Sequence, residues 1–92
     1  LLDRAELNLD ESKLPAAQAD ARQALALAQA AQGGVPYSNH TGLAWLMVGR
    51  VLAKQGETEA AHDAFQAAIT HLSNTVDDDH PMLVRARELA QR

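Results

Sequence analysis

The chain has 92 residues, a formal net charge of −4, nineteen alanines, three aromatic residues and no cysteine. A chain this short builds one small domain, burying roughly 60–65% of its unfolded surface and leaving little room to enclose an active site. The composition excludes disulfides, thiolate catalysis and cysteine-ligated zinc. It offers no basic stripe for duplex nucleic acid. Its longest apolar run, Leu43–Gly49, has seven residues where a bilayer span needs ~20.

Alanine has the best helix propensity, and β-branched residues never alternate with polar ones over the length of a strand, so the fold is expected to be all-α. The first helix is expected from Leu1 to about Asp10, and the segment Glu11–Pro15 interrupts it. The second starts at Pro15, since proline suits a first helical position. It ends near Gln32, where Gly33-Gly34 can adopt the positive φ that closes a helix. The third starts at Asn39 or His40 and stops at Gln55 before Gly56. The fourth is opened by Thr58, whose hydroxyl can accept a first-turn N–H while Glu59 complements the helix dipole. It ends near Asn74. A fifth runs from Pro81 to Arg92 behind Asp77-Asp78-Asp79, which are read as capping residues.

Periodicity supports these elements. Trp45, Val48, Gly49 and Leu52 follow i, i+3, i+4, i+7 and should form the buried stripe of the third helix. Ala61, Ala64, Phe65, Ala68 and Leu72 do the same in the fourth, and Ala17, Ala21, Ala24, Leu25 and Ala28 in the second. Short connections make neighbouring helices antiparallel.

The chain also repeats itself. Shifting by 44 residues places Ala17 on Ala61, Ala21 on Phe65, Ala24 on Ala68, Pro15 on Glu59 and Ser12 on Gly56. A shift of 40 places Asn39-His40 on Asp79-His80. Residues 42–75 then form a complete helical hairpin, residues 1–32 a partial first repeat, and residues 78–92 the first helix of a further one. Leu1-Leu2 looks like the middle of an amphipathic segment, so the chain is expected to be a piece of a longer protein.

The complete hairpin reads Trp45-x₂-Val48-Gly49-x₂-Leu52, then Ala61-x₃-Phe65-x₂-Ala68, with Ser73 where proline is usual. This resembles the tetratricopeptide repeat. The Asp-Asp-His-Pro approach to the last helix resembles the lengthened kinesin-light-chain type. The resemblance implies antiparallel hairpins stacked as an α-α superhelix, whose first helices line an inner groove that binds partner segments. On that basis the groove residues are Leu43, Leu46, Met47, Arg50, Ala53 and Lys54, joined by Leu83, Ala86 and Ala90. The surface suits an acidic-apolar segment, with Arg50 and Lys54 taking a carboxylate.

The expected function is therefore a protein-interaction scaffold, part of a larger regulatory or signalling protein and cytoplasmic. The alternative is a structural or self-association element. Leu1, Leu7, Leu83 and Leu89 would then offer apolar faces to a second copy. No nucleic acid, membrane, cofactor or catalytic residue enters either reading. The four histidines lack the i, i+4 spacing of a metal pair, since His62 and His71 lie on opposite helix faces. Asp77–Asp79 lacks the glycine and closing glutamate of a calcium loop.

Overall fold

A computed structural model describes residues 1–91 and contains five α-helices packed against one another, with no strand among the described residues. They are α1 (Leu2–Asp10), α2 (Leu14–Gln32), α3 (Asn39–Lys54), α4 (Thr58–Ser73) and α5 (Pro81–Ala90). The all-α expectation holds, and the helix limits lie close to those read from the sequence. The fifth helix was expected to reach Arg92; it stops at Ala90, and Arg92 lies outside the described residues. Each helix packs on its neighbours in the chain, and α1 also touches α3.

Two turns 44 residues apart share one backbone pattern. Lys13 N–H donates to Asn8 O at 2.8 Å, and Glu57 N–H to Leu52 O at 2.9 Å. Ser12 N–H to Leu9 O and Gly56 N–H to Ala53 O match in the same way, at 3.0 and 3.1 Å. Ser12 sits at φ 60° and Gly56 at φ 80°, and the residues that follow share ψ 71°. The two turns thus close in one pattern, in which the N–H three residues past the helix satisfies a last-turn carbonyl. Glycine adopts this φ without strain, whereas Ser12 adopts it at a steric cost.

The caps differ from expectation at two places. Thr58 is the first residue of α4, not its cap; Glu57 takes that place and no side chain caps the helix. At α5 the three aspartates do not cap. His80 does, its Nδ1 accepting from Met82 N–H at 3.2 Å, while Asp78 reaches Arg87 at 3.4 Å. Ser38 caps α3 by accepting from Thr41 N–H at 3.3 Å. The loop before it is tied to α4, because Ser38 N–H donates to His71 Nδ1 at 3.1 Å. Tyr37 meets the same imidazole edge-on.

The core centres on the α3–α4 hairpin. Nine of the sixteen residues of α3 are buried, because α2, α4 and α1 cover it on several sides. The expected stripe is buried at Val48, Gly49 and Leu52, but Trp45 is only half-buried and packs at the core edge. Two glycines, seven residues apart, let the helices approach. A Cβ on Gly49 would lie 2.5 Å from Phe65 Cε1, and one on Gly42 would lie 2.9 Å from Leu72 Cγ. Phe65 and Leu72 are also seven apart and pair with the glycines in antiparallel order. Each large side chain therefore fills the notch a glycine leaves.

An ion pair fixes α1 onto α2. Arg4 Nε and NH2 donate to Asp20 Oδ2 and Oδ1 at 3.0 and 2.8 Å, and Asn8 Nδ2 adds a third bond at 2.9 Å. Asp20 is 7% exposed. The Arg4 hydrogen bonds hold the Asp20 carboxyl below the ordinary aspartate range, against the opposing effect of burial, with help from the Arg4 charge and Asn8. The Arg4 guanidinium is pushed upward in turn. A carboxyl whose folded pKa is depressed contributes stability above its unfolded value and loses it as the pH falls through the folded one. The melting temperature should therefore drop on acidification below about pH 4. In Asp20→Asn, thermal melts across that range should show a flatter dependence and a lower neutral-pH midpoint. An undiminished slope would show that Asp20 is not the group responsible.

Candidate interaction groove

Three alternate helices present one continuous surface. A cleft of about 170 Å³ is lined only by residues of α1, α3 and α5, among them Leu2, Leu43, Leu46, Met47 and Met82. A second cleft of about 340 Å³ continues it, over Leu9, Ala53, Phe65 and Leu89. Arg50 and Arg85 line both, so the two form one groove. Helices α2 and α4 stand behind, Phe65 being the one α4 side chain that reaches the floor of the second cleft.

Six of the nine groove candidates line these two clefts. Leu43 is half-buried at the groove, and Arg50 lines its full length. Ala53 and Lys54 line the second cleft and are exposed. Leu46 and Met47 touch the first cleft but are only 4% and 6% exposed, so they form its floor and do not project into solvent. Leu83 and Ala86 require correction. Both are 0% exposed and belong to the core. Ala90 is half-buried and lines neither cleft. From α5 the groove receives Met82, Arg85 and Leu89 instead, spaced i, i+3, i+7. Met82 and Leu83 are adjacent yet face the groove and the core respectively, because one residue turns a helix by about 100°.

Charge is divided between the walls. Asp3, Glu6 and Asp10 of α1 face the groove on one side, and Arg50, Lys54 and Arg85 on the other. Arg50 NH1 donates to Glu6 Oε1 at 3.1 Å across it. The acidic wall went unread in the sequence, although its signal was there. The same shift of 44 that relates the turns carries Glu6 onto Arg50 and Asp10 onto Lys54, so corresponding places on α1 and α3 hold opposite charges.

Among the described residues no group of three histidine, aspartate or glutamate side chains converges as a metal site. Nor is any of their helices long and apolar enough to cross a membrane. No family model, curated protein or solved structure compared with the chain matches it.

Proposed function

We propose that the chain is a tetratricopeptide-like segment of a larger, cytoplasmic regulatory or signalling protein, and that it binds a partner segment along the α1–α3–α5 groove. The observation that carries the reading is the alternation of roles. The first cleft is lined by α1, α3 and α5 alone, and α4 reaches the second only through Phe65, as stacked hairpins require when each repeat buries one face on its neighbour. The matching turns at Ser12 and Gly56, and the close seating of Phe65 on Gly49, support it further. The groove combines an apolar floor with charged rims, the arrangement used to seat an amphipathic segment. No reaction or cofactor belongs to this proposal.

A cross-linked capture experiment tests it. The wild-type chain would be compared with a Leu43→Asp, Arg50→Glu variant whose helicity is confirmed by circular dichroism. These positions are chosen because Leu46 is too buried to carry a charge without unfolding the chain. A protein captured by the wild type and lost with the variant is the expected result. Equal capture, or none, would move the assignment to self-association or packing within the parent protein. That second reading is favoured by Leu7 and Leu27, each 56% exposed.

A further inference from the structure

The second cleft concentrates positive charge in a chain whose net charge is −4. Arg50, Lys54 and Arg85 line it against one carboxylate, Asp10. Among the described residues neither Lys54 nor Arg85 forms an ion pair; Arg50 does, with Glu6. The floor beneath these cations is Leu9, Phe65 and Leu89. A bare phosphate or an oligonucleotide backbone gains nothing from such a floor, whereas a peptide that alternates acidic and apolar side chains satisfies both parts of it.

The Glu6–Arg50 pair has an uneven build. The Arg50 side chain is 20% exposed, while that of Glu6 is 52% exposed. A single bond joins them, leaving other guanidinium donors for a second carboxylate. Such half-exposed pairs shift an equilibrium by at most about fivefold. A carboxylate arriving on a peptide, able to bind the fork bidentately and supported by Lys54 and Arg85, outcompetes that contact.

We infer that Glu6 is an internal stand-in for the partner, holding Arg50 until an acidic-apolar peptide segment displaces it. This rests on the groove being the binding surface, as proposed above. Because Asp20 clamps Arg4 and Asn8, two residues to either side of Glu6, α1 delivers Glu6 at a fixed place; the contact is thus a built-in competitor that sets a threshold for binding. The threshold weighs most on weakly acidic segments, whose own contact with Arg50 gains least over that of Glu6.

The test uses fluorescence anisotropy of a fluorescein-labelled peptide in which aspartate pairs alternate with leucine. It is titrated with the full chain and with Glu6→Gln, Asp10→Asn, Arg50→Gln and the Glu6→Gln, Arg50→Gln double variant, each checked by circular dichroism. Glu6→Gln should tighten binding by about two- to fivefold. Asp10→Asn, which removes an equal charge not paired to Arg50, should tighten it less. Arg50→Gln should weaken binding by about tenfold or more, and adding Glu6→Gln to it should tighten binding no more than Asp10→Asn does. If the peptide binds but Glu6→Gln has no effect, or keeps its full effect without Arg50, the stand-in role is overturned and the groove reading survives. Failure of the peptide to bind either wild type or Glu6→Gln overturns both. Preference for a single-stranded oligonucleotide over the peptide overturns the choice of partner.

Discussion

Replacing Phe65 with alanine should destabilise the chain by about 3–5 kcal/mol. The ring is 4% exposed and fills the notch at Gly49, so truncation leaves a void that a glycine-lined wall cannot fill. A domain of this size holds only about 5–15 kcal/mol in total, and a small one lies toward the lower end. Urea denaturation followed by circular dichroism should show a large fall in midpoint, or a variant already partly unfolded without denaturant. The loss should reach function as well, because Phe65 lies under the groove floor beside Leu89. A parent-like unfolding curve would mean that α3 and α4 do not pair through this contact.

The second large effect is expected at Gly49. Alanine in place of a helix-interior glycine normally stabilises by roughly 1 kcal/mol. Here the new methyl would lie 2.5 and 2.6 Å from Phe65 Cε1 and Cδ1, distances at which the ring or the helix must move. Steric cost should outweigh propensity, for a net loss of about 1–3 kcal/mol by equilibrium denaturation. The comparison is sharpest as a double-mutant cycle. Gly49→Ala combined with Phe65→Ala should cost clearly less than the two losses added together, because each removes the other's conflict. Simple additivity would refute the notch-and-ring pairing.

These contacts were largely legible in the sequence. The spacing of Trp45, Val48, Gly49 and Leu52 with Ala61, Phe65 and Ala68 encodes one hairpin, since small and large residues must alternate where helices close. The turn at Ser12 was found by shifting the chain onto Gly56, although serine alone gives no hint of a positive φ. The limits of such reading are equally physical. Trp45 was expected inside because periodicity marks a face without saying how wide its cover is. His80 in place of the aspartates as the α5 cap depends on loop geometry that no pattern of acids reveals. Leu83 was assigned to the wrong surface because the resemblance implies a first helix without fixing its rotation, and one residue turns a helix by about 100°. The Glu6–Arg50 contact joins residues 44 apart, so it follows only once successive repeats are laid over each other.

The contacts between helices run mostly between chain neighbours, with α1 to α3 a longer step. This has a bearing on how the protein is made. Connections of a few residues cost little entropy to close, and topologies rich in local contacts fold in microseconds to milliseconds. Synthesis at roughly 5–20 residues per second is far slower. The α1–α2 hairpin can thus form while α3 is still inside the ribosome, and each new helix emerges onto a surface already shaped to receive it.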